Sequence, residues 1–271
     1  MTTKNLIVAL LFAALPSLAP AQGDAPASPP AAPAAAPAEA IGEIALVTGS
    51  VTVATETQPR SLKAGDPLYA GQSITVAVNS YASLKFADGG RVLLRPNTEF
   101  AVEAYTYKPA PVIAPEAGAP MAPASVEGTA FFRLVRGGLR AISGLIGKGD
   151  HQQYKVSTPV ATIGIRGTDY EVQLCTDDCP TPAQAAAAGT LVASTELAGL
   201  ELAQADGGGD GGVVVATHEG SIEVRTPAGV VSMVVDAGQV GVMLASGQTF
   251  MLPVVPDMMI RDPAPDPGSC E

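Results

Sequence analysis

The chain has 271 residues, yet few of its side chains sit where they could start a reaction. Its two histidines are His151 and His218, and neither stands in a zinc-binding, nucleophile-elbow or phosphate-loop pattern. His151 follows Asp150 in a polar stretch and His218 precedes Glu219 in a strand-like run, so both read as solvated or edge residues. Asp169 and Glu171 are spaced so that a strand would put both carboxylates on one face. A glycosidase needs two carboxylates facing each other across a sugar cleft, and the absence of Trp removes its usual stacking platform. A hydrolase reading therefore survives only if carboxylates converge in a cleft. No catalytic residue, metal ligand or cofactor-binding residue is assigned, and no cofactor is expected.

The most pointed segment is Gly164-Ile165-Arg166-Gly167-Thr168-Asp169. Glycines on both sides of a single Arg suit a strand bend, and a guanidinium with five donors suits pinning that bend to a buried carboxylate or carbonyl cluster. The expected role of Arg166 is thus structural first and partner binding second. A Gly-x-x-Gly loop can also clamp RNA, but the chain carries a net charge of −11, and removal of a leader containing Lys4 makes it more acidic still. Phosphate backbones are held chiefly by Lys and Arg, so nucleic acid is not an expected partner, nor is an anionic membrane surface. The run Asp206 to Gly212 resembles calcium-binding Gly/Asp repeats in only a single copy, which is too little for a site.

Three cysteines remain: Cys175, Cys179 and Cys270. In an oxidising compartment the first two are expected to form a disulfide around Thr176-Asp177-Asp178. Cys270, in a Pro-rich tail, reads as unpaired and available for a dimer or an attachment.

The ends specify that compartment. Lys4, the apolar run Leu6 to Leu15 and the small residues Ala19 and Ala21 form a secretory signal peptide over 1–21. The run is shorter than the roughly 20 residues of a membrane span, and no later stretch is apolar and long enough, so no span is expected after cleavage. Residues 22–40 are nearly all Ala and Pro, the composition of a disordered linker. The expected location is periplasmic or secreted.

From Ile41 to Leu244 short runs alternate apolar and polar residues between turn formers, as in Ser73-Ile74-Thr75-Val76-Ala77-Val78 and Arg91-Val92-Leu93-Leu94. Asp88-Gly89-Gly90 predicts a tight hairpin. Three stretches echo one another as strand, Gly kink, strand: Val47 to Val53, Leu134 to Arg140 and His218 to Val224. Val156-Ser157-Thr158-Pro159 is echoed by Val224-Arg225-Thr226-Pro227, and Lys63-Ala64-Gly65-Asp66 by Asp236-Ala237-Gly238-Gln239. The fold class is all-β, either a short-strand β-solenoid or a rolled β-sandwich, in which small branched side chains fill the core and glycines turn the corners. The domain is expected over 41–245, with Pro/Ala- and Gly-rich loop insertions at 108–124 and 180–212 and a Pro-rich tail at 246–271. Leu139 to Ile146 reads as a short helical turn and Pro182 to Ala188 as a weak helix outside the core.

The stretch Val156 to Val172, with Thr158, Pro159, Gly164, Arg166, Gly167, Thr168 and Asp169, resembles the central signature of FecR domains. The resemblance extends upstream through Gly42 to Val53, Leu62 to Leu68 and Ala82 to Leu94, and downstream through Glu219 to Met243. In the signalling branch of that family the domain is the periplasmic sensor of a membrane protein that relays the state of an iron transporter to a sigma factor. This sequence shows neither a sigma-binding region nor an internal span, so the resemblance implies a β-rich, non-enzymatic interaction module rather than the complete relay. The expected partner is an envelope protein, in signalling or surface organisation. The alternative is a scaffold associated with peptidoglycan or another glycan.

Overall fold

The computed structural model describes residues 39–54, 58–109, 126–149, 151–187 and 211–260. The leader, nearly all of the linker, the central parts of both insertions and Cys270 lie outside these residues.

The strands in chain order are β1 (Gly42–Thr48), β2 (Val51–Val53), β3 (Arg60–Ser61), β4 (Pro67–Leu68), β5 (Ser73–Val76), β6 (Tyr81–Phe86), β7 (Arg91–Leu94) and β8 (Glu99–Lys108). They continue as β9 (Glu127–Arg136), β10 (Gly138–Ile142), β11 (Tyr154–Ser157), β12 (Thr162–Cys175), β13 (Gly212–Arg225), β14 (Val231–Asp236), β15 (Val240–Leu244) and β16 (Thr249–Leu252). Among the described residues three short α-helices accompany them, α1 (Leu145–Gly149), α2 (Pro182–Ala187) and α3 (Asp257–Ile260), with a 3-10 turn at His151–Gln153. The segment Leu139 to Ile146 is therefore strand first and helix second, because Leu139 and Ala141 alternate into the core before the helix begins.

The repeated Gly kink explains the architecture. Gly49, Gly137 and Gly220 all have φ between +75° and +80°, a conformation that costs Gly little and other residues one or two kcal/mol. Each lets a run of strand leave one set of neighbours and join another. Gly167, at φ +61°, does the same in β12. Two half-sheets result. The front one runs β3-β2-β5-β8-β9-β11, then the first part of β12, the second part of β13, and β14. The back one runs β4-β1-β6-β7-β10, then the second part of β12, the first part of β13, β15 and β16. All pairings among the described strands are antiparallel except that of β9 with β11. A solenoid stacks parallel rungs, so of the two arrangements expected it is the rolled sandwich that forms.

One apolar cluster fills the space between the halves, joining Ile74, Phe100, Phe132, Val156 and Ile163 from the front to Leu84, Leu94, Leu139 and Val172 from the back. Aromatic contacts bridge it: Phe86 lies 5.1 Å from Phe132 and 5.3 Å from Tyr105, ring centre to ring centre. The Tyr154 and Tyr170 hydroxyls meet at 2.9 Å inside it, and burial raises both phenols well above their ordinary pKa. The predicted hairpin forms at Asp88-Gly89-Gly90, and Asp88 is buried there. It accepts the Tyr105 hydroxyl at 2.9 Å and the backbone N–H groups of Gly90 and Ile146, tying the hairpin to α1.

The sheet does not stop at residue 245. β16 pairs with β15, and Phe250 and Met259 are buried, because the back half-sheet has an apolar outer face that they cover. Likewise α2 is not a helix outside the core: Ala185 is fully buried in that same second cluster. Gly212, the last residue of the insertion expected at 180–212, begins β13, and β8 runs to Lys108, the first residue of the insertion expected at 108–124.

Candidate functional site

The signature residues Thr158 to Asp169 build the turn and bend of β12. Thr158 closes the β11–β12 turn with its own side chain: the Ala161 N–H donates to its Oγ1 at 2.9 Å, and Pro159 sits exposed at the tip. Thr226 repeats this at the β13–β14 turn, where the Val230 N–H donates to its Oγ1 at 3.2 Å. Gly164 lies in regular strand, with Ile163 and Ile165 pointing inward on either side and its own Cα on the outer surface. The bend falls three residues later, at Gly167 and Thr168, where the register between β12 and β13 shifts. Asp169 then receives a two-point contact from Arg140, 3.2 Å from Nε to Oδ1 and 2.9 Å from Nη2 to Oδ2.

Arg166 is not buried. Its side chain is 58 % exposed and donates from Nη2 to Glu223 Oε1 at 2.6 Å, while Arg225 donates to the other oxygen of the same carboxylate. The reason is alternation: Ile163 and Ile165 face the core, so Gly164 and Arg166 face out. The two arginines hold the Glu223 carboxyl below its ordinary pKa, Arg225 more strongly than Arg166. Around this triad lies an open groove of about 570 Å³ lined by Gln152, Lys155, Thr162, Gly164, Arg225 and Gly229, among others.

The expected contact of a guanidinium with a buried carboxylate is made by Arg95, just past β7. It is 3 % exposed and meets Glu171 Oε2 at 2.6 Å on the outer face of the back half-sheet. Burial pulls its pKa below the ordinary guanidinium value and Glu171 pulls it back up. Among the described residues its buried Nε and Nη1 have no hydrogen-bond partner. The other Glu171 oxygen lies 3.0 Å from His218 Nε2, so His218 is half-exposed yet tied to a buried carboxylate. Asp169 and Glu171 do share a face, as their spacing predicts, but each is engaged by an arginine, Asp169 by Arg140 and Glu171 by Arg95. In the sequence Arg95 stands directly after the apolar run Val92-Leu93-Leu94, the one signal of its burial.

On the same face Cys175 and Cys179 form a disulfide, with Cα atoms 5.0 Å apart, next to the second core. Among the described residues no group of His, Cys, Asp and Glu is arranged to hold a metal ion, and no helix is long and apolar enough to cross a membrane.

An all-β sandwich whose two halves hinge on a bent, signature-bearing strand defines the class. The sequence profile of the family described as FecR protein matches residues 72–186, from just before β5 into α2. Strands β1–β4 and β13–β16 lie outside that match but belong to the same sandwich. Curated proteins give no match. Two crystal structures of a protein assigned as an anti-sigma factor from Parabacteroides distasonis are similar at 15 % and 14 % identity, with TM-scores of 0.37 and 0.36. Each alignment covers 66 % of this chain and 58 % of that one. At that likeness nothing about function transfers.

Proposed function

We propose that this protein is an exported, non-catalytic envelope protein that acts by binding another protein, as a sensor-type module or an organiser of the cell surface. The observation that carries the reading is the placement of the FecR signature. Its turn and bend set the front half-sheet so that Arg166 faces solvent over an open groove, while the carboxylates that might have served catalysis are locked to arginines on the other face. A rigid platform with an open, charged outer surface suits recognition. Export is supported by the leader-like N-terminus and by the Cys175–Cys179 bond, which persists in an oxidising compartment. The Ala/Pro-rich stretch 22–40 would give the domain reach from an anchoring point or partner.

The test is a crosslinking pull-down with the exported chain as bait, against envelope extract and isolated sacculi, with a heat-melted sample as control. Specific recovery of an envelope protein is expected. Retention on sacculi alone would replace this reading by a peptidoglycan scaffold, and a chain that stays in the cytoplasm would remove it.

A further inference from the structure

We propose that the groove around Gly164 binds an extended acidic segment of a partner protein, with Arg166, Arg225 and Lys155 as its carboxylate receptors. This names the partner chemistry for the binding role above and rests on that reading.

The register makes the groove. Lys155, Gly164 and Glu223 stand in one row across β11, β12 and β13, and the middle member has no side chain. A Cβ built on Gly164 would meet nothing nearer than the Glu223 carbonyl oxygen at 4.0 Å, so the row is notched to backbone depth. Thr162 and Arg225 form the row on one side of the notch, Arg166 and Ser221 the row on the other. Arg166 and Arg225 fold inward from these flanking rows and meet at Glu223. Lys155 borders the notch from the opposite strand, its ammonium 5.2 Å from the centre of the Phe131 ring.

Charge identifies the occupant. Three cations and one carboxylate surround the notch in a chain whose net charge is −11, so this is a cationic island on an acidic protein. Planar guanidinium forks match planar carboxylates, and the site already demonstrates the match: one carboxylate, that of Glu223, has its two oxygens divided between two arginines. Glu223 is thus an internal occupant with which an incoming Asp or Glu competes. An extended chain advances about 3.3 Å per residue, so alternate acidic side chains fall about 6.6 Å apart, the same step as from row to row along β12.

Two kinds of variant move binding in opposite directions, which a merely stabilising ion pair would not do. With a fluorescein-labelled oligoglutamate peptide as probe and anisotropy as readout, Arg166→Ala combined with Arg225→Ala is expected to weaken binding about tenfold or more. Glu223→Gln, which frees both forks, is expected to tighten it severalfold. Oligothymidylate and oligolysine are expected not to bind. Equal affinity in wild type and the double arginine variant, no binding in either wild type or Glu223→Gln, or equal binding of oligothymidylate would overturn the proposal. Recovery of a partner in the envelope pull-down without any oligoglutamate binding would sink the groove and leave the binding module standing; failure of both would sink both.

Discussion

The two outer faces of the sandwich use the same chemistry in opposite surroundings. On the back face Arg95 and Glu171 meet in near-complete burial, 3 % and 11 % exposed, and Arg140 and Asp169 lie beside them, also mostly buried at 17 % and 15 %. On the front face it is the cations that are open: Arg166 and Arg225, 58 % and 41 % exposed, reach a Glu223 carboxylate that is itself 17 % exposed. Removing a charge from water costs several kcal/mol, so neither member of a buried pair can be lost alone without a large penalty, whereas an exposed pair is nearly neutral in stability and free to exchange partners. The difference separates a face that holds the fold from a face available for recognition.

The sharpest way to test that contrast is to orphan a buried charge. Arg95→Ala leaves the buried Glu171 carboxylate with the half-exposed His218, and Glu171→Ala leaves a guanidinium two of whose nitrogens have no partner among the described residues. Each should cost about 3–5 kcal/mol in urea unfolding, and the paired Arg95→Met, Glu171→Leu variant should cost clearly less than either single change. If the singles cost no more than surface substitutions, the back face is not the structural one.

Next in size is the disulfide that closes the back face's apolar patch. Cys175→Ser with Cys179→Ser should lower stability by about 2 kcal/mol, since the closed loop is short, and should make α2 and the β16–α3 end more sensitive to protease. Thiol labelling of the unreduced protein should detect neither Cys175 nor Cys179.

Much of this architecture was legible. The strand, Gly kink, strand echoes at Gly49, Gly137 and Gly220 are the points where the chain crosses between half-sheets, and the two Thr-Pro echoes are the turns closed by Thr158 and Thr226. Local chemistry determines these features, so local sequence reveals them. The role of Arg166 was not legible, because a glycine-flanked arginine looks alike whether it points in or out, and only the alternation of Ile163 and Ile165 against a core decides it. Arg95, the burial of Asp88 and the second core are not legible for a different reason. Glu171 lies 76 residues from Arg95, and Phe250 and Met259 find Val214 and Val242 only once β13 and β15 have paired. Ala185 gave no sign of burial, since an Ala-rich stretch reads the same on a surface as against an apolar patch.

On the front face the expected costs are small. Arg166→Ala should change stability by no more than about 1 kcal/mol, against the fold-breaking role its flanking glycines suggest, because an exposed ion pair contributes little and Glu223 keeps Arg225. Melting temperatures of the wild type and the variant test this, and a loss as large as that of Arg95→Ala would erase the contrast between the faces.

The smallest effect carries a sign that identifies it. Arg225 and Arg166 depress the folded-state pKa of Glu223 below its ordinary value near 4.5, so ionised Glu223 stabilises the fold at pH values above that figure. As pH falls through the depressed folded-state value the carboxyl takes up a proton, the forks lose their anion, and the contribution disappears. Glu223→Gln cannot ionise and lacks it at every pH. The stability difference between the wild type and Glu223→Gln should therefore be slight but constant near neutrality, begin to shrink below the ordinary glutamate value, and close once the folded carboxyl is protonated. High salt should narrow it at neutral pH, since Arg166 and Arg225 are open to solvent. A difference that widened on acidification would mean that Glu223 is held neutral, and the front face would then lack the carboxylate-receptor character on which recognition depends.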